Sequence, residues 1–186
     1  MEGEGEEVAM KPLLIVVFLA MTGAPTLHSP DVLTPFGLGP VRIGMSVPEA
    51  EKALKTRLEV ELIQVDADES CGYATRADKR DANLAYMVED GRITRIDVIQ
   101  PPRGSGPERR VTAATGLGVG SSEDEVRKAY GSAMTAEPNP YDDRERYLKV
   151  EEPDHKRGLV FETLGGKIYS MRAGEYPALD YAEGCL

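Results

Sequence analysis

Two stretches decide how this chain is read: "IGMSVPEAEKAL" (Ile43–Leu54) and "VGSSEDEVRKAY" (Val119–Tyr130). Setting Gly44 on Gly120 gives an offset of 120 − 44 = 76. Val41 then meets Leu117, Ile43 meets Val119, Ser46 meets Ser122 and Glu49 meets Glu125. Ser46 with Glu49, and Ser122 with Glu125, each spell a capping box, in which serine and glutamate satisfy each other's exposed backbone donors at a helix start. Apolar residues at i, i+3 and i+4 follow in both, which predicts two short amphipathic helices.

Farther along, "LAYMVEDGRITRIDV" (Leu84–Val98) matches "LVFETLGGKIYSMRA" (Leu159–Ala173) at an offset of 166 − 91 = 75. Asp90-Gly91 and Gly165-Gly166 are hairpin-turn dipeptides that tolerate positive φ. Leu84, Tyr86 and Val88 alternate onto one face, as do Leu159, Phe161 and Thr163, and Ile96, Val98, Met171 and Ala173 join it from the returning strands. The opposite face carries Arg95, Asp97, Glu162 and Arg172 and is expected to be wet. Extended segments are expected at Leu58–Val65, Cys71–Ala77 and Glu145–Glu152. The expected fold is α+β: a tandem repeat of two units, each a capped helix packed on a three- to four-stranded antiparallel sheet. Unit one spans 36–100 and unit two 111–174. A Pro-, Gly- and Arg-rich linker covers 101–110, and a tail covers 175–186.

The start of the chain has a different composition. Residues 1–9 are acidic and Gly-rich and read as an extension foreign to the fold. From Met10, Lys11 and the apolar run Leu13–Met21 read as a signal peptide over 10–29, with an undefined cleavage point. The run is too short to span a membrane, which needs roughly 20 apolar residues. The chain has two cysteines, Cys71 and Cys185. In an exported protein this predicts one disulfide. It would clip the tail onto unit one and draw Tyr73 and Tyr181 together. A periplasmic or secreted location follows. The formal net charge is −10 over 186 residues, which disfavours nucleic acid and anionic lipid as partners.

Chemistry is sparse. The two histidines, His28 and His155, leave little basis for a nucleophile activated by His or for a zinc site. "DADES" (Asp66–Ser70) opens like a calcium loop but continues with Cys71 and Ala77 where Gly and an acid belong. "GLGVGSS" (Gly116–Ser122) lacks a phosphate-binding Lys and runs into Glu123, Asp124 and Glu125. No metal, no cofactor and no catalytic residue is therefore expected.

The Gly-x-Ser-x-x-Glu helix starts, the hairpins and the tandem spacing resemble the β-lactamase-inhibitor-protein-like family. A single unit is similar to the small outer-membrane assembly lipoproteins of the SmpA/OmlA type. The resemblance covers Phe36 to Gly174. It implies a module that binds another envelope or secreted protein, as an inhibitor or an assembly factor; the shortage of catalytic residues makes that module non-catalytic, and a monomer without stable membrane insertion after processing is expected. This chain departs from both relatives: it has no disulfide within each unit, no lipidated Cys and no Trp. The expected contact residues are Arg95, Asp97, Glu162 and Arg172 on the wet face, with Tyr141 in a nearby loop. Two alternatives stand beside this reading. One is a small-ligand-binding periplasmic protein, cued by Thr163 as a polar residue on an apolar strand face. The other is a hydrolase pairing Glu162 with Asp97.

Overall fold

The computed structural model describes residues 31–64, 70–99 and 110–185. The extension 1–9, the leader 10–29, residues 101–109 of the linker and Asp66–Glu69 lie outside the described residues.

Both helices begin where the serine–glutamate spacing places them. Helix α1 is Val47–Leu54 and α2 is Glu123–Tyr130. At α1 the backbone N–H and the hydroxyl of Ser46 both donate to the Glu49 carboxylate, at 2.8 Å each. At α2 Ser122 donates to Glu125 in the same way, and the Glu125 N–H also donates to Ser122 Oγ at 3.3 Å. These bonds hold the Glu49 and Glu125 carboxyls below the usual range, the serine N–H being the largest cause in each. Each helix is only eight residues long, too short to be stable without tertiary packing. Ala50 and Val126, both fully buried, anchor them in the core.

The strands carry most of the structure. After α1 come β4 (Leu58–Gln64), β5 (Ser70–Arg76), β6 (Leu84–Glu89) and β7 (Arg92–Ile99). After α2 come β9 (Met134–Pro138), β10 (Glu145–Glu151), β11 (Arg157–Leu164) and β12 (Lys167–Glu175). All eight form one sheet in the order β4-β5-β6-β7-β12-β11-β10-β9. The hairpin turns form at the expected dipeptides, with φ of 48° and 74° at Asp90-Gly91 and 58° and 80° at Gly165-Gly166. Four short strands make a second sheet: β1 (Asp31–Thr34), β2 (Gly37–Leu38), β3 (Val41–Arg42) and β8 (Val111–Ala113), in the order β3-β2-β1-β8.

This architecture corrects the expected fold class. The protein is mostly β, with two sheets and only two short helices, and is not a helix-capped tandem repeat of two units. Two pairings are responsible. Strand β12 pairs antiparallel with β7, from Ser170 opposite Ile99 to Gly174 opposite Arg95, so the eight strands share one hydrogen-bond network. Gly174 makes the join possible, because a Cβ there would lie 2.3 Å from the Thr94 carbonyl oxygen. The second pairing is β1 with β8, which lie parallel although far apart in sequence. Segments expected to lead into separate units are thereby built into one shared sheet.

The core lies on the inner face of the large sheet. Leu84, Tyr86, Val88, Ile96, Val98, Leu159, Phe161, Met171 and Ala173 form one apolar cluster with Leu33, Leu38, Ala50, Val111 and Val126. The alternation read from the hairpins therefore points the expected residues inward. Thr163 is fully buried with them, and its hydroxyl donates to Glu123 at the start of α2 at 3.3 Å.

Candidate functional site

The outer face of the large sheet carries four of the five expected contact residues, but it is not wet. Arg95, Asp97 and Arg172 are 3%, 7% and 4% exposed. The cause is the end of the chain. Beyond β12 a cis Tyr176–Pro177 bond and a single 3-10 turn, Ala178–Asp180, fold the last described residues back across β7, β11 and β12. Leu179 packs against Tyr147, Val160 and Tyr176. Ala178 packs with Met87, Tyr73, Tyr181 and the Cys71–Cys185 disulfide, whose Cα atoms are 5.4 Å apart. Lys149 reaches across to Asp180 at 2.8 Å and to Glu137 at 2.7 Å. Gly184, at φ 73°, lies against the Tyr73 hydroxyl, where an added Cβ would come within 2.3 Å. The disulfide is thus the expected one, and it draws Tyr73 and Tyr181 into one cluster.

Beneath this strap the charges are paired. Arg95 Nε lies 2.9 Å from Asp97 Oδ1. Its Nη1 donates to the carbonyls of Ala178 at 2.8 Å and Tyr181 at 3.0 Å, and its Nη2 to the Tyr73 hydroxyl at 2.8 Å. Arg172 Nη1 lies 3.0 Å from Glu162 Oε1 and donates to the Tyr181 carbonyl at 3.1 Å. The Arg172 guanidinium also lies 5.3 Å from the centre of the Tyr147 ring, a cation–π arrangement. Its Nε is buried with no hydrogen-bond partner among the described residues. The two arginines thus hold the strap by its main-chain oxygens, a use of guanidinium geometry that a lysine could not match. Burial pushes the Asp97 carboxyl up, and the charges of Arg95 and Arg172 oppose it. Burial also raises the Tyr73 and Tyr147 phenols. Tyr169 is driven well above its ordinary value by burial and by Glu162 and Glu145.

A cleft of about 410 Å³ opens beside this network, lined among others by Tyr73, Asp97, Glu162, Ser170, Arg172 and Glu183. Tyr141, the fifth expected residue, is 72% exposed in the loop between β9 and β10. Its phenol is raised, chiefly by hydrogen bonding to Glu183, which lines the cleft. Four of the five residues, Arg95, Asp97, Glu162 and Arg172, thus line one cleft, while Tyr141 lies outside its lining and is related to it through Glu183. Sequence reasoning missed Tyr147, Ser170, Glu183 and the strap carbonyls. Adjacency to Cys71 was the only sequence cue to Tyr73.

Chemically, both floor carboxylates are committed to ion pairs. Asp97 is held by Arg95, and Glu162 by Arg172. The arrangement is a rigid polar floor with an acidic rim. Among the described residues no group of three or more His, Cys, Asp or Glu side chains comes together as a metal site. No helix among them is long and apolar enough to cross a membrane. No family model, no curated protein and no solved structure matches the chain.

Proposed function

We propose that this protein is a non-catalytic binding module, exported to the envelope or beyond, that engages a basic group of another protein at the rim of the outer cleft. One observation supports this reading above the others. The two buried arginines are closed off by Asp97, Glu162 and main-chain carbonyls. Glu183 stands at the cleft with Tyr141 as its neighbour and no ion pair among the described residues. The negative charge left for a partner is therefore on the rim. The formal net charge of −10 includes four Glu and one Lys of residues 1–29; the remaining −7 still favours approach of a basic partner over long range. The leader-like start and the Cys71–Cys185 disulfide support an oxidising compartment. The chain acts as a monomer in this reading.

The test is affinity capture from native envelope extract, comparing wild type with the Tyr141→Ala, Glu183→Lys double variant. A protein held by wild type and released by the variant is the expected result. Equal retention on both columns ends the reading.

A second reading, a small-ligand protein, has its own observation: the buried Nε of Arg172, without a hydrogen-bond partner among the described residues, beside an open cleft. It predicts that a small carboxylate raises Tm in a thermal-shift screen. A flat response across the carboxylates removes it.

A further inference from the structure

The large sheet has two edges, and among the described residues only one of them carries proline. At one end β9 is five residues long and ends in Pro138, with Pro140 just beyond. Proline cannot donate to a further strand. Lys149 also reaches over this edge to Glu137. At the other end β4 is seven residues long and contains no proline. Its one described strand neighbour is β5. It is held tightly there: a Cβ on Gly72 would lie 2.1 Å from the Glu61 carbonyl oxygen. An edge of this length normally carries some device against further pairing.

The side chains of β4 differ between its two faces. Val60 and Leu62 stand opposite Ala74 and Gly72 on the inner face. They continue the core surface outward, yet they are 39% and 56% exposed. On the outer face Glu59, Glu61 and Ile63 stand opposite Thr75, Tyr73 and Cys71. Glu59 is paired with Lys79 at 2.5 Å. Glu61 is exposed and has no ion pair among the described residues, and Ile63 is 41% exposed. An added strand would thus meet uncovered apolar surface on one face and an unpaired carboxylate on the other.

We propose that the edge of β4 accepts an extended segment of a partner protein in which apolar and basic residues alternate. Main-chain hydrogen bonds supply the sheet addition, and the period of two sends alternate side chains to opposite faces. The apolar set lies over Val60 and Leu62, and the basic set faces Glu61. A second copy of this chain fits less well, because antiparallel pairing centred on Glu61 would set two like charges opposite each other. The inference rests on the binding-module reading but uses a surface separate from the cleft.

The experiment uses a synthetic heptapeptide of alternating valine and lysine, with two controls: a block-order peptide of the same composition, and a valine–glutamate peptide. Binding is read by fluorescence anisotropy, and its place by hydrogen exchange. The valine–lysine peptide is expected to bind best and to slow exchange at residues 58–64. Leu62→Lys and Glu61→Lys, both exposed positions, are each expected to weaken it by about tenfold or more. Glu183→Lys at the cleft rim is expected to leave it unchanged, so the edge and the rim can fail separately. Equal binding of either control peptide overturns the proposal, as does protection confined to the cleft. So does concentration-dependent self-association of the protein that Leu62→Lys abolishes, because β4 would then be covered by another copy.

Discussion

The two faces of the eight-stranded sheet are built from alternate residues of the same strands, yet they are held by different physics. Inward, Tyr86, Ile96, Phe161 and Met171 lose their water to α1, α2 and the small sheet. That contribution scales with apolar area and has no required direction. Outward, Arg95, Asp97, Glu162 and Arg172 are covered by one strap of chain, held by aimed hydrogen bonds and one covalent link. The inner face depends mainly on keeping apolar volume and shape. The outer face depends on each partner being present, because a buried charge without its counterpart costs more than the pair contributes.

Truncating one residue on each face has the largest expected effect. Arg95→Ala leaves Asp97 buried without its cation and is expected to cost about 3–5 kcal/mol in urea unfolding. Replacing both Arg95 and Asp97 by leucine is expected to recover a large part of that loss. Phe161→Ala is expected to cost a similar 3–5 kcal/mol by leaving a cavity, with no partner whose removal restores it. If the double variant on the outer face is as unstable as Arg95→Ala alone, the two faces are not different in kind.

Next in size is the strap itself. Cys185→Ser opens a loop spanning 114 residues and is expected to cost about 2–4 kcal/mol, chiefly by freeing the unfolded chain. The variant should also expose Arg95 and Arg172, which hydrogen exchange at the strap and limited trypsin digestion both read. Unchanged digestion at these sites would mean the arginines and Leu179 hold the strap without the disulfide.

The smallest effect separates the two helix starts. Ser122→Ala removes a hydroxyl that accepts from Glu125 N–H and is expected to cost about 1 kcal/mol. The carboxyls of Glu49 and Glu125 sit below their ordinary range. Their contribution is therefore present above that range and is lost as pH falls through the lowered values. Glu125→Gln should match wild type in strong acid and fall behind it as pH rises toward neutrality. A constant gap across that range would show that the cap does not titrate with folding.

How much was legible follows from the range of each signal. Ser46, Glu49, Ser122 and Glu125 sit within four residues of their partners, so local spacing sufficed to place both helices. The hairpins were legible for the same reason, through Asp90-Gly91 and Gly165-Gly166. The disulfide followed from there being two cysteines and one pairing. The fold class was misread because the deciding contacts are long-range. Nothing near Gly174 in sequence says that it will lie against Thr94, and nothing near Val32 says that it will pair with Thr112. The outer face was misread for a related reason. Charged residues on alternate strand positions predict solvent unless another segment supplies oxygens to meet them, and here Ala178 and Tyr181 do so from the end of the chain.

The helix starts, the turns, the inward-facing alternation and the one available sulfur pairing are written in the residues themselves, because each depends on neighbours or on a count. Long-range pairing decided the rest: eight strands join into one sheet, the strap buries the arginine pair, and β4 ends the sheet with β5 as its one described strand neighbour. Those outcomes depend on which distant backbones meet, and a hydrogen-bonding edge looks the same in sequence whether or not another strand arrives to cover it.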